Sequence, residues 1–136
     1  MPCVLWIHGG GMAAGSAYDQ RTLPRARMLA HLGVVVVAVD FRNCSQAPSA
    51  ASLPPGHGTS DIAPFPAGLN DCYSGLEYVH AHAAELGVNT DEVIVAGPSG
   101  GGNLTIAVAL MAKQRGQLNL LPQGFYACCV SPYLQH

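Results

Sequence analysis

The sequence predicts an α/β fold in which a parallel sheet carries helices on both faces. Three observations lead there. Short apolar runs alternate with stretches of helical spacing, in the order β-α-β-α-β-α-β, which builds parallel strands with right-handed crossovers. The run at 34–39 (VVVVAV) is continuous and β-branched, as in a strand covered on both faces. Two glycine clusters follow two of the strands, at the carboxyl ends where sites form in such sheets.

Taken in order, Cys3 to Ile7 is an apolar run ended by His8 and three glycines, so it reads as a buried strand entering a loop. A helix is expected from about Arg25 to His31, with Pro24 in its first turn and Gly33 as its stop. Val34 to Val39 is the second strand. Phe41 to Pro66 is rich in Pro, Ser, Gly and Ala without a period, so it reads as a long surface loop, of functional or insertional character. Leu69, Cys72, Tyr73, Leu76, Val79, Ala83 and Leu86 form one helical stripe stopped by Gly87. Val93 to Ala96 is the third strand, Asn103 to Arg115 the third helix, ended by Gly116, and Phe125 to Val130 the fourth strand.

Composition narrows the function classes. Of 136 residues, 49% are hydrophobic and 10% charged, so the chain can bury a core. The net charge is −2 with the cations scattered, which excludes a nucleic-acid surface. No apolar run is long enough to span a bilayer. The first residues lack the features of a signal peptide, so a cytoplasmic setting is expected. The five cysteines include no C-x-x-C, and they read as small buried hydrophobes in a reducing compartment. His80 and His82 lie two apart on a helix and face different ways, which argues against metal binding. His57, in the long loop, is expected to be solvated. Asp71 and Glu77 read as polar positions on their helix. Oligomeric state is left open.

Residues 93–104 (VIVAGPSGGGNL) hold the pattern Gly97-x-Ser99-x-Gly101 between a strand and a helix. That context is what a nucleophilic serine needs: a strained turn whose neighbours two residues away carry no side chain. The N–H of Gly100 would then face the pocket at a helix N-terminus, where partial positive charge suits a developing oxyanion. A bare G-x-S-x-G would read first as a small-residue packing turn; the flanking strand and helix favour the nucleophile.

His8-Gly9-Gly10-Gly11 follows the first strand. Consecutive glycines let backbone amides approach a substrate oxygen where no Cβ intrudes. Taken with the elbow, VLWIHGGGM (4–12), VVVVAVDFRN (34–43), FPAGLNDCYSGLEYV (65–79) and VIVAGPSGGGNL (93–104) resemble the hormone-sensitive-lipase-like α/β-hydrolases, across essentially the whole chain. The resemblance implies hydrolysis of carboxylic esters of short or medium acyl chains or of aryl esters. It implies Ser99 as nucleophile and Gly10, Gly11 and Gly100 as oxyanion-hole amides. His8, Gly9, Gly97, Gly101 and Asp40 would support them, and no metal or organic cofactor is implied. The partner would be a small-molecule ester.

The pattern departs from the family at two places. Members commonly carry an acidic residue before the serine and alanine after it, where this chain has Pro98 and Gly100. The triad order is Ser, then Asp or Glu, then His. From Val93 to His136 there is no Asp or Glu, and the one histidine is His136. The expectation is therefore a central fragment of an α/β-hydrolase domain, residues 1–136, without its first strands or its Asp/His region, and incompetent for turnover by itself. A non-catalytic ligand-binding member of the same fold is the alternative. A dinucleotide-binding reading, with Gly9-x-Gly11-x-x-Ala14 and Asp40 after the next strand, explains less, because it leaves GPSGGGN without a purpose.

Overall fold

The computed structural model describes residues 1–44 and 62–116. The chain runs β1 (Cys3–Ile7), α1 (Thr22–His31), β2 (Val35–Val39), α2 (Ala67–Ala81), α3 (Ala83–Leu86), a 3₁₀ turn (Thr90–Glu92), β3 (Val93–Ala96) and α4 (Gly100–Arg115). The three strands are parallel in the order β2-β1-β3. Cys3 lies opposite Val35 and Val93, and Leu5 opposite Val37 and Val95. Alternation therefore sends Cys3, Leu5, Ile7, Val93 and Val95 to one face. There they meet Cys72, Tyr73, Leu76 and Val79 of α2 and Leu104, Val108 and Ala112 of α4, and all are buried. Trp6 points to the other face, where the start of α1 lies.

This placement follows from chain order. The crossover from β1 to β2 and the one from β2 back past β1 to β3 run in opposite directions. With both right-handed, α1 and α2 fall on opposite faces. The loops leaving β1 and β3 lead to α1 and α4 on opposite faces, and their first residues meet at the carboxyl ends of the two strands.

Several boundaries differ from the sequence-based expectation. Helix α1 starts at Thr22, three residues early, because Asp19 Oδ1 accepts from the N–H groups of Arg21 and Thr22 and so meets the open first turn. The single helix expected through Leu86 is two. His82 leaves helical geometry and folds its ring back on Tyr78, with Nδ1 3.0 Å from the Tyr78 carbonyl. Strand β2 is half-buried rather than covered on both faces, since it forms an edge among the described residues. Phe41 belongs to the core and not to a surface loop. The rest of that loop from 45 to 61, including His57, and the strand expected at 125–130 lie outside the described residues.

Leu76 is fully buried between the sheet and α4. Leu76→Ala should cost about 2–5 kcal/mol, read as a lower urea midpoint with the slope unchanged.

Candidate active site

Strand β3 ends at Ala96, three residues turn, and α4 begins at Gly100. Ser99 sits in that turn at φ 53°, ψ −121°. A non-glycine residue held there stores about 1–3 kcal/mol and persists only where its surroundings impose it. The surroundings are backbone. A Cβ on Gly97 would stand 2.2 Å from the Ile7 oxygen, and one on Gly101 2.1 Å from the same atom. One on Gly100 would stand 2.8 Å from the Gly11 nitrogen, and one on Gly9 3.0 Å from the Pro98 oxygen. The glycines of the two motifs are thus complementary: each loop lacks side chains where the other's main chain passes.

The loop after β1 curls back on itself. The Gly10 carbonyl accepts from the amides of Ala13 (3.1 Å) and Ala14 (3.0 Å), with Gly10 at φ 120°. The amides of Gly10, Gly11 and Gly100 have no acceptor among the described residues. Three N–H groups are therefore available beside Ser99, one of them at the N-terminus of a 16-residue helix.

The turn after β2 holds this loop from behind. Asp40 Oδ1 accepts from the Ala17 N–H (3.0 Å), Asn43 Nδ2 donates to the Gly15 carbonyl (3.2 Å), and the Cys44 N–H donates to the Met12 carbonyl (2.7 Å). Arg42 in turn grips Asp71 of α2 through Nε and Nη2, each at 2.9 Å, while its own N–H donates to Asp71 Oδ2. These bonds hold the Asp71 carboxyl below the usual range, the Arg42 guanidinium contributing most. Asp71 is thus a pin between helix and loop rather than a mere polar position. Sequence reading missed it, as it missed Asn43, Cys44 and Asp19; the D-F-R-N run was the available signal.

His8 turns away from the serine loop. Its ring stacks on Phe41 at 4.1 Å and 9°, its Nδ1 donates to the Gly9 carbonyl at 2.7 Å, and its Nε2 is buried with no hydrogen-bond partner among the described residues. Burial lowers its pKa; the Gly9 bond and the Asp40 and Asp19 charges oppose that without reversing it. Ser99, Gly9, Gly10, Gly11, Gly97, Gly100 and Gly101 converge, while His8 and Asp40 support the loop from outside it.

The dinucleotide reading does not survive. Helix α1 opens at Thr22, well past Gly11, and Asp40 is engaged by the Ala17 amide. Among the described residues no group of three or more His, Cys, Asp or Glu could hold a metal, and no helix is long and apolar enough to cross a membrane. Cys3 and Cys72 are free and buried, which pushes their thiols up to about 11 and about 12. Cys44 is exposed, against expectation, because its backbone rather than its side chain faces the loop it holds. Cys128 and Cys129 lie outside the described residues.

This frame agrees with known proteins. The profile of the alpha/beta hydrolase fold family matches residues 62–134, and the chain belongs to that family. Carboxylesterase NlhH of Mycobacterium tuberculosis is 34% identical over 116 residues, which are 85% of this chain and 31% of the relative. Hormone-sensitive lipase of Bos taurus is 30% identical over 132 residues, 97% of this chain and 15% of the relative. The structure of esterase Est22 superposes with a TM-score of 0.76 at 47% identity, over 93% of this chain and 35% of that one. The chain spans about a third of the length of NlhH and of Est22.

Gly101→Ala should destabilise by about 1–3 kcal/mol or more, because the obstructing atoms are backbone oxygens that cannot rotate aside. Gly33→Ala meets nothing within 4 Å and should cost only its positive-φ strain, about 1 kcal/mol. Thermal melts of the two variants check the order.

Stability should fall with acid in two steps. His8 stays neutral when folded and gains a proton more easily when unfolded, so its contribution is lost as pH drops through the ordinary histidine value of about 6.5. Asp71, depressed when folded, contributes above about pH 4 and loses that contribution below it. Because the pair is partly exposed, Asp71→Asn should cost about 0.5–1 kcal/mol at pH 7, a difference from the parent that vanishes below about pH 4.

Proposed function

We propose that this chain carries the nucleophile and the oxyanion hole of a serine hydrolase acting on carboxylic esters. The observation that carries the reading is Ser99, held at positive φ at the head of α4 beside three amides without acceptors. The Ser99 Oγ attacks the ester carbonyl, and the carbonyl oxygen, now negative, is taken by the N–H groups of Gly10, Gly11 and Gly100. Each such donor contributes about 2.7–4 kcal/mol to lowering the barrier. Collapse releases the alcohol and leaves an acyl-serine, which water then cleaves.

The serine hydroxyl must give up its proton as it attacks. His8 is poorly placed to take it, because its ring is pinned on Phe41 and its Nε2, the nitrogen left free by the Gly9 bond, is buried. Since no carboxylate follows Ser99 within these 136 residues, a triad in the family's chain order needs a histidine and an acid from other residues. The relatives named carboxylesterase, lipase and esterase support the reaction class. A small-molecule ester is the partner this site fits, and the buried thiols of Cys3 and Cys72 are compatible with a cytoplasmic setting.

The decisive experiment supplies the missing groups. Residues 3–116 replace the matching segment of esterase Est22, and hydrolysis of p-nitrophenyl butyrate is measured. Turnover should appear, and Ser99→Ala should reduce it by at least about 10³-fold. The 136-residue chain alone should stay near the uncatalysed rate. A folded chimera without turnover would overturn the proposal and leave ligand binding as the better reading.

A further inference from the structure

Among the described residues, two that are not glycine hold a positive φ: Ser99 and Met12, the latter at 60°. Met12 follows Gly11, itself at φ 62°, and the Gly10 carbonyl accepts from the Ala13 N–H across the pair. Turns with both central residues in that region are dominated by Gly, Asn and Asp, which reach it with little or no clash. Methionine is a strained occupant. Such strain persists only where the surroundings impose it, and it clusters at working sites. Here the Cys44 N–H holds the Met12 carbonyl at 2.7 Å, and the side chain packs on the edge of the core.

Met12 lines a cavity of about 330 Å³. Phe41, Phe65, Leu69, Leu104 and Ala107 form the rest of its apolar wall, between the N-terminal turns of α2 and α4. The Arg42 guanidinium at its border is bound by both oxygens of Asp71. The cavity suits an uncharged apolar group, and burying an ionised one there would cost its hydration.

Two contacts join this cavity to the serine. The Asn103 N–H, at its border, donates to the Ser99 carbonyl at 3.2 Å. A Cβ on Gly100 would stand 3.2 Å from the Met12 nitrogen and 2.8 Å from that of Gly11, one of the three amides without acceptors. An ester whose carbonyl oxygen rests on those amides thus starts one residue from the cavity wall.

We propose that Met12 is a specificity-determining residue, and that the cavity it walls receives an uncharged apolar arm of the ester cleaved at Ser99. The assignment rests on the reading of Ser99 as nucleophile; the affinity of the cavity for apolar molecules does not.

In the Est22 chimera, acyl length is varied with p-nitrophenyl acetate and butyrate, and alcohol length with methyl and butyl acetate. The longer ester of one pair should gain about tenfold or more in kcat/KM over the shorter, since each methylene buried adds to transition-state binding. Met12→Asn keeps a residue at ease at positive φ but puts an amide on the wall, and it should remove most of that gain. Met12→Leu should restore it. Ala107→Leu, at a half-buried position of α4, fills the cavity and should also remove the gain. The pair that responds names the arm that enters, acyl or alcohol. A merely structural role lowers short and long esters alike, so ratios indifferent to both substitutions would overturn the assignment.

The cavity itself is read without turnover. N-Phenyl-1-naphthylamine, a neutral apolar fluorophore, should brighten saturably when titrated with the 136-residue chain, and Ala107→Leu should weaken its binding about tenfold. A titration unchanged by that substitution would overturn the cavity as an apolar site. No turnover of any ester, with dye binding still sensitive to Ala107→Leu, would overturn the Ser99 reading and the role of Met12 together while upholding the apolar site.

Discussion

The Ile7 carbonyl faces the Cα of both Gly97 and Gly101, at distances that would put any Cβ about 2 Å from its oxygen. Strand pairing sets that contact: the last β1–β3 partners are Trp6 and Ala96, so Ile7 and Gly97 follow side by side. Neither loop could come so close with side chains between them. The closeness puts the amides of Gly11 and Gly100 next to one another and holds Ser99 in a backbone conformation it would otherwise leave. The strain at Ser99 is small beside the burial of Val93, Val95, Leu104 and Val108, which anchors β3 and α4 on either side of the turn.

Support for the facing loop comes from β2. Its turn grips the loop through Asp40, Asn43 and the Cys44 amide, and α2 grips the turn through Asp71. The stacked rings of His8 and Phe41 fill the space between these bonds. Position thus passes from helix to turn to loop by hydrogen bonds, most of them to backbone groups. Arrangements of this kind keep their geometry better than contacts between flexible side chains, because the main chain has few alternatives once its strands are paired.

Much of this was legible in the sequence. The three described strands were read to within one residue, because a continuous β-branched run between glycines has few other interpretations. Both glycine motifs were placed at the right strand ends, and their convergence followed from chain order alone. What was not legible depended on single hydrogen bonds. The Asp19 cap moved the start of α1, and the ring of His82 broke a helix whose apolar stripe continued past it. Asp71 looked like a solvated position because its partner Arg42 is far away in sequence, and nothing in local periodicity reports such a pair. Phe41 was assigned to the surface because the residues after it are polar and small, although its ring completes the core around His8.

Strand β1 lies near the start of the chain and pairs with β3, most of the described sequence later, so the two halves of the site are brought together only by a long-range closure. Contacts of that separation form late, after the entropy of closing the intervening chain has been met. The three acceptor-less amides consequently do not exist as a group in any early, locally folded form. A nascent chain emerging through α2 would have the glycine loop but nothing for it to face. The gathering of these amides beside Ser99 is therefore a report on completed topology, and no partly folded species would hold it.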